Sequence, residues 1–301
     1  MAHSAASSSW TAEWFGTTTF RVRRPGLDLF FDGYLDRLPG LDPVGLRTGE
    51  VQRADFVFVS HAHFDHLYGV AAIARLTGAT VVASPESARV LRQDGVPDEQ
   101  LLMVTGGETV RCGPAVSVRV LPALHSCLFA ASADPAVDCL GDLGISAQDR
   151  WRAVQGIFAG GFQQAGSSPV ADAMRTMLDH SSMHDGGQLA YLLQTGDGSA
   201  LFSGSSGYWP GIFAGLRPDV AFLALAGRPN VSGEPYQGSS ARFMLEQVET
   251  LRPGKVCFCH HDPLLPGQPW TDITAAAALL ESAKPGSYFT LGYATPLPVF
   301  A

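Results

Sequence analysis

The sequence predicts an α/β layered fold. Short runs rich in Val, Phe and Leu alternate with segments of helical periodicity almost from end to end. The 301 residues, 46% of them hydrophobic, are also enough to bury more than one sheet layer. In chain order, the expected strands are TTFRVR from Thr18, LDLFFD from Leu27, DFVFVS from Asp55, ATVVAS from Ala79 and AVSVRVLPA from Ala115. Helices are expected after Asp65 and after Ser84. The middle segment, 126–187, has helical patterns and little strand character. Trp151, Phe158, Phe162, Met174 and Met177 recur there at helix-compatible spacing, and such a stripe packs against a core or forms a cap over a pocket. The second half adds QLAYLLQ from Gln188, SALFSG from Ser199, DVAFLAL from Asp219 and KVCFCH from Lys255. The turn TGDGS makes the first two of these a hairpin. Two further helices are expected over Ala241–Leu251 and Asp272–Ala283.

Composition excludes several function classes. Lys and Arg number 20 against 28 Asp and Glu, a net charge of −8, with no basic run to track a phosphate backbone; nucleic acid is not an expected partner. No run approaches the roughly 20 apolar residues of a membrane span. The opening MAHSAASSSW lacks a basic start and an apolar stretch, so residues 1–10 are expected to form a disordered lead before a single domain over 11–301. Five scattered cysteines fit reduced thiols and a cytoplasmic location. Oligomeric state is not readable, because the apolar helix faces of the middle segment fit a core or a partner equally.

One local pattern points to chemistry. In DFVFVSHAHFDHLYG a hydrophobic strand ends at Ser60, and His61, His63, Asp65 and His66 follow within six residues. Four ionisable side chains directly after a buried strand need partners, and a metal ion supplies them. A catalytic zinc needs at least three protein ligands and an open position, so further ligands must come from other strand ends. His125, after VSVRVLPAL, and His260, after KVCFC, are the candidates.

With these residues in hand, the chain resembles the metallo-β-lactamase-fold superfamily over roughly 14–291. His-x-His-x-Asp-His is the most specific element of the likeness. The opening hairpin is similar to the branch containing sugar-phosphate lactonases and phospholipase-D-like hydrolases. The resemblance implies a four-layer αββα sandwich with metals at one edge of the paired sheets. It also implies one site from His61, His63 and His125 and a second from Asp65, His66 and either His260 or His261; His260, with Asp262 two residues on, fits the family's loop spacing better, and His261 would then be a pocket or supporting residue. Most of the superfamily has Gly-Asp after the second hairpin, and that carboxylate bridges the metals; here Gly204 and Ser205 stand in its place. One subclass of true metallo-β-lactamases also has Ser there and keeps two zincs. Asp262, Asp142 and Asp185 are candidate replacement carboxylates.

The expected cofactor is Zn²⁺, one ion bound tightly and a second more weakly with Ser205 as a neutral ligand; iron and manganese are the alternatives. The expected chemistry is hydrolysis of an ester, lactone or phosphodiester in a small-molecule substrate, with metal-bound hydroxide as nucleophile. Asp65 is expected to orient the water as well as ligate. His261, His180 and His184 are candidate proton donors, and Tyr208 a candidate oxyanion contact that reads better as packing. Arg228 reads as a solvated loop residue that could pair with an anionic substrate. Cys257 and Cys259 share one strand face and read as buried structural thiols. A β-lactam hydrolase and a non-catalytic metal-binding protein are the competing readings.

Overall fold

The computed structural model describes residues 10–130, 136–141, 143–165 and 168–300. The first half runs β1 (Thr11–Trp14), β2 (Phe20–Arg24), β3 (Leu27–Phe31), β4 (Phe56–Phe58), α1 (Phe64–Leu67), α2 (Val70–Thr77), β5 (Thr80–Ala83), α3 (Pro85–Gln93), β6 (Leu101–Met103), β7 (Thr109–Gly113) and β8 (Val116–Pro122). Two helices follow, α4 (Ala147–Ala165) and α5 (Pro169–Asp179). The second half has β9 (Leu189–Gln194), β10 (Ser199–Ser203), β11 (Gly207–Tyr208), α6 (Pro210–Phe213), β12 (Val220–Ala224), β13 (Asn230–Val231), β14 (Glu234–Pro235), α7 (Ser240–Leu251), β15 (Lys255–Cys259), α8 (Thr274–Ala283), β16 (Tyr288–Phe289) and β17 (Leu297–Pro298).

Two seven-stranded sheets, β17-β1-β2-β3-β4-β5-β6 and β16-β15-β12-β10-β9-β8-β7, face each other. Between them lies an aromatic core. Phe31 stacks on Phe202 with centroids 3.8 Å apart, and Phe20 packs on Phe222 at 4.8 Å. Each sheet is covered on its outer face. Val57, Val59 and Val81 pack under Ile73 and Ala74 of α2 and Leu91 of α3. Leu201, Leu223 and Phe258 pack under Phe243 and Met244 of α7 and Leu280 of α8. The result is the expected αββα sandwich, and burial on both faces explains why its central strands read as unbroken apolar runs. In β12, Phe222 points to the sheet–sheet core and its neighbours Ala221 and Leu223 to the helices.

The strand directions place the site. β3, β4, β5 and β6 are mutually parallel, as are β10, β12, β15 and β16, while β8 reaches the direction of β10 through antiparallel β9. The carboxyl ends of β3, β4, β8, β10 and β15 therefore converge on one edge, where ligands bind in open α/β sheets. The hairpin expected over Gln188 to Ser203 forms with Ser199 opposite Gln194.

The helix expected after Asp65 is two helices. The chain breaks at Gly69, where a Cβ would sit 2.2 Å from the Gly33 carbonyl, so the backbone can pass close only there. Trp10, placed in the lead by the sequence, is fully buried against Phe300, and the Val299 amide donates to its carbonyl. The rest of that lead, Asp142 and the side chains of Phe158 and Phe162 lie outside the described residues.

Candidate metal centre

β4 delivers the buried strand end to Ser60, and the next turn places His61, His63, Asp65 and His66 at the convergent edge. His63 occupies the extended N-cap position of α1, and Asp65 and His66 lie in its single turn. His125 follows β8, and His260 follows β15 in the left-handed region at φ +59°. Thr17, hydrogen-bonded to His260, and Asp32, hydrogen-bonded to His66, are also at positive φ, +42° and +56°. Such backbone is unusual for residues with a Cβ and collects at functional sites. It is held here by hydrogen bonds: the His260 amide donates to Thr17 O at 2.8 Å, and the Asp32 amide to Phe58 O at 2.8 Å.

Six side chains form two clusters. The nitrogens of His61, His63 and His125 lie within 4.8 Å of one another, as do the ligand atoms of Asp65, His66 and His260. The clusters touch, with the His61 and His66 rings 3.8 Å apart. Asp65 Oδ2 is 3.2 Å from both His66 Nε2 and His260 Nε2.

The hydrogen bonds fix which nitrogens are lone-pair donors. His125 Nδ1 faces the Ser126 carbonyl at 2.8 Å, and His63 Nε2 faces the Met183 carbonyl at 3.4 Å. A carbonyl only accepts, so these nitrogens carry the protons. His66 Nδ1 donates to Asp32 Oδ2 at 2.8 Å. The Ser60 hydroxyl donates to the same carboxylate at 2.9 Å, so its oxygen accepts from His61 Nδ1 at 3.0 Å. The free lone pairs of His61 Nε2 and His63 Nδ1 are then turned toward each other at 3.1 Å. In the second cluster the buried His66 Nε2 makes no hydrogen bond. Converging lone pairs and an orphaned buried nitrogen beside a carboxylate are the arrangement a cation relieves, so both donor sets fit a metal ion.

The electrostatics agree with this division. Burial, reinforced by the neighbouring imidazoles, pushes His61 well below the usual histidine value, His63 down to about 3 and His125 down, so the first cluster is neutral. Burial also opposes charge on His66, but Asp65 and Asp32 overcome it and lift that imidazole to about 10. Burial would raise Asp65; His66 and His260 instead hold its carboxyl well below the usual range.

Sequence reasoning missed Asp32. This buried carboxylate accepts from the Ser60 amide at 2.7 Å and from Thr18 Oγ1 at 2.5 Å as well as from His66 and the Ser60 hydroxyl. Its signal was available: LDLFFD ends in Asp one strand from the strand that carries the histidines, at the same edge.

The other candidates are distributed unevenly. Ser205 Oγ lies at the site and accepts from the Ser126 amide at 3.0 Å, which ties β10 to the residue after His125. Asp262 belongs to neither cluster: its oxygens take Arg37 Nη1 and the Thr17 amide at 2.8 Å and the Tyr293 hydroxyl at 2.9 Å. Asp185 also ligates nothing in either cluster and accepts from the Gly187 amide. His261, expected at the pocket, is instead held between Trp14 and Trp270, centroids 5.2 and 5.5 Å away, and lines neither cavity at the clusters. His180 pairs with Asp94 at 2.7 Å on the surface. His184 stacks on Trp151, and Tyr208 packs between Phe213 and Phe243. Arg228 is buried rather than solvated, and donates to the carbonyls of Cys139, Gly141 and Tyr236. Cys257 and Cys259 lie in the core between the sheets, where burial raises both thiols.

A family model described as a beta-lactamase superfamily domain matches residues 25–141. A metal-dependent hydrolase of Pyrobaculum calidifontis is 32% identical over 114 residues, 38% of this chain and 50% of that protein. The chain thus spans about half the length of the curated relatives it matches. Among solved structures, the metallo hydrolase Igni18 of Ignicoccus hospitalis is similar over 96% of this chain and 97% of that one, with a TM-score of 0.62 and 17% identity. CmlA, a diiron β-hydroxylase of Streptomyces venezuelae, is similar over 97% of this chain and 54% of that one, with a TM-score of 0.57 and 19% identity. The sandwich is matched nearly end to end, and the family model covers the loop that supplies four of the six clustered side chains, so the chain has the metallo-β-lactamase fold.

Proposed function

We propose that this chain is a metal-dependent hydrolase in which His61, His63 and His125 hold one ion and Asp65, His66 and His260 a second. The observation that carries the reading is the pair of adjoining donor sets opening on a cavity of about 400 Å³. Zinc is the proposed metal, because five of the six donors are imidazoles, with iron the main alternative. When bound, the ion supplies Lewis acidity, bringing the pKa of a coordinated water toward roughly 7 and polarising the scissile group of an ester, lactone or phosphodiester.

The remaining work falls to the chain's own residues. Asp65, ionised in its cluster, can accept a hydrogen bond from the attacking water as well as ligate. Asp32, by accepting from His66 Nδ1, fixes the ring so that Nε2 is the nitrogen aimed at the cluster, the one that would hold a metal once its proton is released. Ser205 brings no charge, so the second ion is held with one carboxylate and should be the weaker of the two. The location proposed is the cytoplasm, on the strength of the reduced, core-buried thiols of Cys112, Cys257 and Cys259.

The test is a panel of a lactone, a carboxylic ester and bis-nitrophenyl phosphate, with nitrocefin to score β-lactam hydrolysis. Chelation should abolish turnover and zinc restore it. Turnover that survives both a chelator and His61→Ala contradicts the reading.

A further inference from the structure

The cavity at the second cluster and a neighbouring one share His63, His125, Ser126 and Leu128, so they are two arms of one cleft that meet at the first cluster. Their chemistries differ. One arm, about 420 Å³, is walled by Leu124, Leu128, Phe129, Trp151, Val154 and Met183. Its aromatic walls are fixed in place: Trp151 stacks on His184 with planes 9° apart, and the Arg150 guanidinium sits 4.6 Å from the Phe129 ring. The other arm, about 400 Å³, offers Ser182, Ser205, Gln268 and Thr271 beside the clusters.

Neither arm contains a cation. All 20 Lys and Arg lie among the described residues, and none lines the cleft. Those next to lining residues are engaged: Arg150 with Glu234 at 2.7 Å, Arg37 with Asp262 at 2.8 Å, and Arg228 with the carbonyls of Cys139, Gly141 and Tyr236. Asp185, in the apolar arm, adds negative charge. Bound ions would invert this balance only at the scissile group they touch. An anionic tail further out would lose its hydration and meet no partner.

We infer that the cleft accepts a substrate uncharged away from its scissile group, with an apolar acyl or aryl portion seated against Trp151 and Phe129 and a small hydrogen-bonding portion in the other arm. The inference rests on the hydrolase reading and narrows it: lipophilic esters and lactones fit, while sugar phosphates and carboxylate-bearing β-lactams do not.

The experiment uses two ester series with the same scissile group, one with alkyl tails of four to eight carbons and one with tails of equal length ending in a carboxylate. In the alkyl series kcat/KM should rise about fourfold per methylene until the arm is filled. The terminal carboxylate should lower it at least tenfold, and Val154→Lys, at a half-exposed position, should reverse that preference. In parallel, matched non-hydrolysable alkyl amides are titrated against tryptophan fluorescence, with and without added zinc. Quenching should occur with the alkyl amide, be absent with the carboxylate-ended one, and disappear in Trp151→Phe. If the amide quenches in this way and no ester is cleaved, the hydrolase reading fails and the cleft assignment stands. Indifference to tail length, equal handling of charged and uncharged tails, or quenching independent of Trp151 overturns the assignment.

Discussion

Asp32→Asn isolates the buried carboxylate behind the second cluster. Asp32 Oδ1 takes the Ser60 amide at 2.7 Å, a donor with no alternative role, so the asparagine must keep its carbonyl oxygen there. The new NH₂ then faces His66 Nδ1, which today donates to Oδ2 at 2.8 Å. Two donors cannot face each other, so the imidazole must move its proton to Nε2, the nitrogen aimed at Asp65. Loss of such a supporting carboxylate lowers metal affinity by about 10–100-fold, equivalent to about 1.4–2.7 kcal/mol. The larger loss should fall on the second site. His63 and His125 take their orientation from Met183 and Ser126, away from Asp32, and in the first cluster only His61, whose Nδ1 faces the Ser60 hydroxyl that donates to Asp32 Oδ2, feels the change. The assay is competitive zinc titration against a chromophoric chelator, with circular dichroism as the check on folding. A folded variant that binds two equivalents at wild-type affinity, or that loses the first site instead, refutes the reasoning.

Other expectations follow from the same geometry. The two sites should differ in pH dependence, because the first cluster's imidazoles are already uncharged near neutrality whereas His66, raised to about 10, must release a proton to bind a metal. Zinc titrations between about pH 6 and 9 should show a nearly flat first site and a second that strengthens roughly tenfold per pH unit; parallel curves contradict the assignment. Arg37→Met leaves Asp262 buried without its cation and should destabilise the fold by about 3–5 kcal/mol in denaturant titrations; a loss under about 1 kcal/mol would show that the Thr17 and Tyr293 hydrogen bonds suffice. Gly207→Ala would place a Cβ 2.4 Å from the Leu124 carbonyl, one residue before His125, and should both cost about 1–3 kcal/mol and weaken the first zinc site; wild-type zinc affinity in a folded variant counts against that coupling.

The sandwich was legible because its central strands are buried on both faces and therefore carry uninterrupted apolar runs, as in DFVFVS and DVAFLAL. The edge strands were not. β6 has three residues and β11, β13, β14, β16 and β17 two each, too short for any periodicity to register. β1, TAEW, is masked by Glu13, which is buried but paired with Arg21 of β2 at 2.8 Å. That cross-strand partner cannot be read from β1 alone.

At the site, the residues adjacent in sequence were the visible ones. His61, His63, Asp65 and His66 fall within one turn, and His125 and His260 could be added because strand ends share an edge in a sandwich. Roles set by tertiary neighbours stayed hidden. Asp32 looks like the end of a strand until Thr18, Ser60 and His66 are folded around it. Asp262, two residues past His260, resembles a ligand in sequence, yet Arg37, 225 residues away in the chain, claims it. Arg228 reads as a loop cation, and only the packed loops reveal the carbonyls it ties together.

The position of the bound metal is the direct test of the two clusters. Crystals of zinc-supplied protein, with diffraction recorded on both sides of the zinc absorption edge, measure this directly. Two anomalous peaks are predicted, one about 2.0–2.2 Å from nitrogens of His61, His63 and His125, the other equally close to Asp65, His66 and His260. Zinc located away from both sets in catalytically competent protein would contradict it.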